Sequence, residues 1–136
     1  MSKTNQFSTV SRIPIKIIIE KKEILDGQLI RHLSPLTVSH LLKQLPIFGG
    51  IHYNSDNFCY IQTQLIIGAE KQKKAFSKGD ITLMTSNGSI CFILKEISTS
   101  YPMNHIGKIS SSSNLELLRN LKPTDAITIK PEMENN

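Results

Sequence analysis

The sequence predicts a mainly β domain in which many short strands and two short helices enclose one core. The two-residue period of a strand appears in Ile13, Ile15, Ile17 and Ile19. Asn87-Gly88 lies between two apolar runs, and this dipeptide favours the tight turn of a β-hairpin. Only two segments show the helical spacing of apolar residues. A chain of 136 residues is long enough for one domain with a real core.

The strands are expected in a regular series along the chain. The first two lie at residues 13–20 and 23–33, with Asp26-Gly27 as a kink or bulge in the second. Four turn-forming residues at 54–57 separate two apolar runs, which predicts a hairpin. Further strands are expected at residues 65–67, 81–84, 90–94, 106–109 and 126–130. We expect a flexible tail at 1–11, one domain at 12–131 and an acidic tail at 132–136.

The first helix is predicted near residues 35–45. Its apolar face is formed by Val38, Leu41, Leu42 and Leu45. Ser34 is a suitable N-cap because its hydroxyl can accept a hydrogen bond from a free amide. Pro46 should end the helix, and Gly49-Gly50 should reverse the chain. His40 lies on the face opposite the apolar stripe, so we expect it in solvent.

A second short helix is predicted near residues 113–120. Ser113 and Glu116 have the spacing of a capping box, in which each side chain bonds an amide of the first turn. The apolar residues of this helix are Leu115, Leu118 and Leu121.

The cysteines and the absence of long apolar runs favour a cytoplasmic protein. Cys59 and Cys91 lie inside strand-like apolar runs, so we expect buried free thiols, with a disulfide between them as the alternative. No run approaches the roughly 18 apolar residues of a membrane span. The N-terminal residues lack the apolar region of a secretory signal. We therefore expect no membrane association.

The formal net charge of +5 has its densest cluster at Lys71, Lys73, Lys74 and Lys78. Single-stranded nucleic acids are usually bound by basic grooves interleaved with aromatic side chains, and this cluster has only Phe76 nearby. A solvated basic loop is favoured, and RNA binding is the weakest alternative.

Several segments then occur in a familiar order. These are Ser34-Pro35-Leu36-Thr37, Leu45-Pro46, Gly79-Asp80-Ile81, Ile106-Gly107-Lys108-Ile109, Leu115-Glu116-Leu117-Leu118 and Ile127-Thr128-Ile129. From about Ile13 to Lys130 the chain resembles the small prokaryotic cyclophilin-like domain family. The resemblance implies a closed eight-stranded barrel with helices over its ends. It implies no settled activity.

The chain departs from this family at two places that would shape a pocket. Relatives often carry a Trp-Gly pair where this chain has residues 54–57. They also carry a Phe-Gly-Pro-Thr-Pro segment where this chain has Leu94-Lys95-Glu96-Ile97-Ser98. True cyclophilins use an arginine on the strand after the first helix to bond the prolyl peptide. The arginines of this chain, Arg12, Arg31 and Arg119, all lie outside that strand. The basic residue on the strand is His52.

Other enzyme classes are not favoured either. His32, His40, His52 and His105 share no metal-ligand spacing, so no metal and no cofactor is expected. Ser110–Ser113 is a loop cluster without the pattern of a nucleophile elbow. Asp80 follows Gly79 and is expected to bond local amides in a turn. We expect no catalytic residue.

The favoured hypothesis is a non-enzymatic module that binds a peptide or a small molecule on a face of the barrel. The candidate lining residues are His52, Tyr53, Phe58, Tyr60, Gln62, Met84, Tyr101, Met103 and His105. A prolyl isomerase with an altered site is the alternative. If a groove exists, we expect it beside the 51–62 hairpin and away from the lysine cluster. The sequence does not indicate an oligomeric state.

Overall fold

The computed structural model describes residues 11–20 and 23–132. Over this part of the chain it has ten strands, one α-helix and two short 3-10 helices. The strands are β1 Arg12–Ile19, β2 Glu23–Ile30, β3 Ile47–Gly50, β4 His52–Asn54, β5 Phe58–Gln62, β6 Lys73–Phe76, β7 Asp80–Met84, β8 Ser89–Ile93, β9 Ile97–Ile109 and β10 Ala126–Pro131. The helix α1 is Pro35–Gln44, and the 3-10 helices are Arg31–Leu33 and Leu115–Leu118. The expected tails lie outside the described residues, except for Ser11 and Glu132.

The mainly β prediction is confirmed, but the closed eight-stranded barrel is wrong. All ten strands form one antiparallel sheet in the order β3-β10-β1-β2-β9-β7-β8-β5-β4, with β6 added beside β9. The two end strands, β3 and β4, follow each other in the chain and are joined by buried Ile51. β3 pairs with β10 and β4 pairs with β5, so this bent segment bridges the ends of the sheet without completing the ladder.

Three local predictions about strands are also wrong. Residues 65–67 form no strand, although Leu65 and Ile67 pack against the core. β3 and β6 occupy segments that were expected to be a chain reversal and a linker. β1 and β2 pair in unbroken register through Gly27, so there is no bulge. A Cβ at Gly27 would lie 3.1 Å from the Lys108 carbonyl oxygen, so this glycine permits the close approach of β9.

The sheet encloses a main core and carries a second apolar cluster on its other face. The isoleucines of β1 at positions 13, 15, 17 and 19 all point into the main core, as their period predicts. The second cluster, which we name the outer cluster, contains Phe58, Phe76, Cys91, Ile93 and Met103, with Tyr60, Met84 and Ile97 half-buried around it. Both cysteines are buried free thiols, as predicted.

Helix α1 covers one end of the main core, as its apolar spacing predicts. Val38 and Leu41 are fully buried, while Leu42 and Leu45 pack against the core from its margin. Ser34 is the N-cap residue, as predicted, but the predicted role of its hydroxyl is wrong. The hydroxyl donates to the His105 carbonyl oxygen and makes no capping bond.

The predicted second helix exists only as the 3-10 helix Leu115–Leu118. Its cap is Asn114, whose side chain accepts a hydrogen bond from the Glu116 amide at 3.1 Å. The predicted capping box is wrong, because the Ser113 hydroxyl accepts from the Asp26 amide at 2.8 Å and holds the loop against β2.

Candidate functional site

Most of the predicted site residues share one face of the sheet. The strand registers align His52, Tyr60, Cys91, Thr82 and His105 in one row across β4, β5, β8, β7 and β9. A neighbouring row contains Gln62, Ser89 and Met84. Phe58 and Met103 belong to the outer cluster on the same face. Seven of the nine predicted residues therefore come together there.

Much of this face is filled by its own side chains. Phe58 and Met103 are 2% and 0% exposed, because β6 and the first half of β9 pack over them. A ligand can reach only the margin of this face of the sheet. There His52 stacks on Tyr60 with ring centroids 5.3 Å apart, and both side chains reach solvent.

The two remaining predicted residues lie elsewhere. Tyr53 is on the core side of β4, where its hydroxyl donates to the Leu118 carbonyl oxygen and accepts from the Leu121 amide. Tyr101 is exposed on β9 and, with Phe58, lines a shallow groove of about 300 Å³. Tyr53 therefore braces the 3-10 helix and does not face a groove.

A groove lies where β3 separates from β5, and we name it the seam groove. Its volume is about 790 Å³, and it is lined by His40, Gln44, Pro46, Ile47, Phe48, Gln62, Thr63, Gln64, Leu65 and Ile66. Two apolar side chains on its rim, Phe48 and Ile66, are 75% and 93% exposed. Gln62 is the one predicted site residue in this lining.

One wall of the seam groove belongs to an irregular segment, residues 63–72, which we name the strap. It runs beside α1 and is fixed at its start, where the Thr63 amide and hydroxyl both donate to the Gly88 carbonyl oxygen. A Cβ at Gly88 would lie 2.5 Å from the Leu65 carbonyl oxygen, so the strap can lie there only over a glycine. The positive φ of Gly88, 72°, also favours glycine.

The other end of the strap is fixed by Glu70 on the N-terminus of α1. The Glu70 carboxylate accepts from the Leu36 amide at 2.9 Å, the Thr37 amide at 2.8 Å and the Thr37 hydroxyl at 2.7 Å. Partial burial opposes the ionisation of Glu70, but these donors outweigh it and hold the pKa of the carboxyl below its usual value. Glu70 thus supplies the cap that Ser34 was predicted to supply.

Asn104 on β9 holds the strap from below. Its amide nitrogen donates to the Gly68 carbonyl oxygen and to the Thr37 hydroxyl, each at 3.0 Å. Its amide oxygen accepts from the Glu70 backbone at 3.0 Å. Asn104 is fully buried, so these bonds satisfy a side chain that would otherwise be costly to bury.

Asp80 has the predicted turn role and a second partner. It accepts from the Ser77 amide at 2.8 Å, and its other oxygen lies 3.4 Å from His105 Nε2. Burial opposes ionisation of Asp80, but His105 and the Ser77 amide hold the pKa of the carboxyl below its usual value. His105 Nε2 also lies 3.0 Å from the Gly107 carbonyl oxygen. These contacts join β7 to β9.

The lysine cluster is spread over the strap, β6 and the turn between β6 and β7. Lys71 donates to the His32 carbonyl oxygen, Lys73 lies over the Phe76 ring at 5.6 Å, and Lys78 lies 4.0 Å from Glu116. Phe76 is 3% exposed, so its ring cannot stack on a base. In the described residues, no group of three or more metal-ligating side chains occurs, and no helix is long and apolar enough to cross a membrane.

Comparison with known proteins identifies the family. The model of a cyclophilin-like family matches residues 34–130. The chain belongs to this family. The cyclophilin-like match leaves out β1 and β2, which the structure nevertheless shows as central strands of the same sheet. No curated protein matches the sequence.

Two solved structures share the cyclophilin-like fold of this chain. The hypothetical protein AF2241 from Archaeoglobus fulgidus is 20% identical and superposes with a TM-score of 0.73, covering 89% of this chain and 95% of its own. McbB, solved in complex with tryptophan, is 13% identical with a TM-score of 0.73, covering 90% of this chain and 46% of its own. At these identities the likeness shows the fold alone.

Each of the three arginines makes contacts of its own in the fold. Arg119 is bonded to Glu116 and to the Leu94 carbonyl oxygen, and Arg31 donates to the Ser39 hydroxyl. Arg12 donates to the Gln28 side chain on β2.

Sequence reasoning missed most of the seam groove. Its walls come from a segment interpreted as a chain reversal and from a segment interpreted as a strand. No local signal marks them, since Phe48 and Ile66 stand in the apolar runs Ile47-Phe48 and Leu65-Ile66-Ile67. Nothing local shows that they lie across one groove, because that depends on where β3 and β5 pair.

Proposed function

We propose that this cyclophilin-like protein is a non-catalytic module that binds a peptide or a small molecule in the seam groove. The observation that carries the proposal is the groove itself. Its volume of about 790 Å³ is within the range of about 300–1,000 Å³ that is common for ligand pockets. Phe48 and Ile66 expose apolar surface at its rim, and burying such surface is the main source of binding free energy.

The groove combines these apolar groups with hydrogen-bonding ones. Gln44, Gln62 and Gln64 offer amide donors and acceptors, and His40 offers an imidazole. A few polar groups in a mostly fixed frame give a site its selectivity. Because the strap is held by Glu70 and Asn104, the groove wall it forms is fixed before a ligand arrives.

The proposal places the ligand beside the 51–62 hairpin, as the sequence analysis expected, but at its β5 end. The exposed His52 and Tyr60 pair does not belong to the groove lining. Tryptophan, the ligand of McbB, is a suitable small probe for either surface.

The test is chemical-shift mapping of the protein with tryptophan and with heptapeptides selected from a display library. We expect shifts concentrated at residues 46–48 and 62–66. Phe48→Ser and Ile66→Ser should each weaken binding about tenfold or more, because each removes apolar contact area. Ile24→Ser is the matched control, because Ile24 is 57% exposed and does not line the groove.

Two other results would overturn the proposal. Shifts confined to residues 69–80 would move the site to the lysine cluster, and salt-dependent RNA retention reduced by Lys73→Glu with Lys74→Glu would identify its ligand. Acceleration of Xaa-Pro isomerisation that is lost in His52→Ala would make the protein an enzyme. The isomerase assay is informative because the uncatalysed barrier of about 18–20 kcal/mol makes the background slow.

A further inference from the structure

The edge of β3 that faces the seam groove has no strand beside it in the described part of the chain. The Ile51 amide donates to the Asp125 carbonyl oxygen, and β3 pairs with β10 in the same unbroken register. Backbone groups of successive residues in an antiparallel pair point to alternate sides. The N–H and C=O of Ile47 and Gly49 therefore face β10, and those of Phe48 face the groove.

The opposite wall has the complementary arrangement. The Thr63 amide donates to the Gly88 carbonyl oxygen on the β8 side, so the backbone groups of Gln62, the last residue of β5, point towards β3. The register of β4 with β5 pairs His52 with Tyr60, and extending it by four residues places Phe48 opposite Gln64. In the structure Phe48 and Gln64 do not pair, and they lie on opposite walls of the groove.

Gly49 marks the point where the two walls still touch. A Cβ there would lie 3.3 Å from the Ile61 Cβ and 3.4 Å from the Gln62 carbonyl oxygen. Beyond Gly49 the walls diverge, and the groove opens between them. The seam groove is thus a gap between β3 and the wall that continues β5, at the place where pairing of the two would close the ladder. The unpaired edge of β3 borders this gap.

The lining also limits which side chains can occupy the gap. None of its ten residues is Asp, Glu, Lys or Arg. A charged side chain placed there would lose water without gaining an ion pair, which is costly. An occupant with uncharged side chains avoids this cost.

We propose that the ligand of the seam groove is an extended peptide with uncharged side chains, which adds to β3 as a further strand. This inference rests on the function proposed above and specifies its ligand. Main-chain hydrogen bonds to Phe48 would give the peptide its orientation, and Phe48 and Ile66 would cover its side chains. β3 has no charged residue that would discourage such pairing.

The test is an N-methyl scan of the tightest heptapeptide from the library. Each backbone N–H is replaced in turn, and affinity is measured by isothermal titration calorimetry. Strand addition predicts that methylation at alternate residues weakens binding about tenfold or more, while methylation at the others has little effect. Uniform or negligible effects would overturn strand addition and leave the proposed function intact.

A matched pair of variants tests the same bond from the protein side. Phe48→Pro and Phe48→Ala both remove the ring, but only proline removes the N–H that faces the groove. Binding should be at least about fivefold weaker in Phe48→Pro than in Phe48→Ala. Circular dichroism checks that both variants fold. If Phe48→Pro unfolds, the N-methyl scan decides.

A second copy of the chain or a small molecule in the groove would give different results from a peptide in these experiments. A dimer seen by sedimentation and abolished by Phe48→Pro would assign the edge to a second copy of the chain and overturn the peptide proposal. Binding of tryptophan but of no peptide would overturn strand addition alone. Binding of neither would overturn both proposals.

Discussion

Glu70→Gln tests whether the strap stabilises α1 through its carboxylate. The substitution keeps the size of the side chain but leaves one acceptor oxygen where the carboxylate has two. Three donors on Leu36 and Thr37 then compete for it. Loss of a helix cap costs about 0.5–2 kcal/mol, and loss of a negative charge at a helix N-terminus costs about 0.3–1 kcal/mol. We expect the free energy of unfolding at pH 7 to fall by about 1–2 kcal/mol.

The pH dependence gives the sign of the effect. The pKa of Glu70 is lower in the folded protein than the usual value of a glutamate, so ionisation favours the folded state. Its contribution is fully present above the unfolded pKa of about 4.3 and is lost as the pH falls through the folded pKa. The difference between the wild type and Glu70→Gln should therefore shrink as the pH falls below about 4.

Urea unfolding followed by circular dichroism measures both quantities. Glu96→Gln is the matched control, because Glu96 is exposed and the structure gives it no hydrogen bond or ion pair among the described residues. It should change the free energy of unfolding by less than about 0.5 kcal/mol. Equal values for the wild type and Glu70→Gln at pH 7, or a difference that does not change with pH, would refute the capping role.

Two further predictions concern the core. Leu41→Ala should lower the free energy of unfolding by about 2–5 kcal/mol, because Leu41 is 1% exposed, while exposed His40→Ala should change it by less than about 0.5 kcal/mol in the same urea titration. Equal costs would mean that α1 faces the core differently. Burial raises the pKa of Cys59 and of Cys91 to about 12, so a thiol reagent at pH 7 should label neither until the protein unfolds. Rapid labelling of the native protein would contradict their burial.

The sequence predicts those elements whose pattern is local. Alternating isoleucines are enough to predict β1, and Asn87-Gly88 is enough to predict the hairpin of β7 and β8. Helix α1 is also predictable, because its apolar face is made by residues three and four apart. In each case the physical cause lies within about ten residues of the chain.

The elements that were missed depend on distant partners. β6 contains two lysines and was expected to be a linker, but it pairs with β9 and buries Phe76. Residues 65–67 have the apolar residues of a strand but no ladder, because the Leu65 amide donates to the Thr63 hydroxyl instead. The cap from Glu70 is 33 residues from Thr37 in the chain. No pattern near Thr37 points to it.

Prediction of the candidate site is limited even more strongly by its dependence on distant segments. The nine lining residues predicted from the sequence came from the 51–62 hairpin and from the segments that form β7 and β9, and seven of the nine do share a face. It could not show that β6 and β9 cover Phe58 and Met103, because covering is decided by the fold of other segments.

Gly49 shows why the seam groove could not be predicted from the sequence. As a sequence pattern, Gly49-Gly50 is typical of a chain reversal. In the fold, Gly49 lies in an extended strand, and its missing side chain lets β3 touch β5 beside Ile61. The same glycine therefore sets where the ladder stops and where the groove begins. The role of Gly49 depends on Ile61, a neighbour on another strand, so the local sequence alone could not have located the groove.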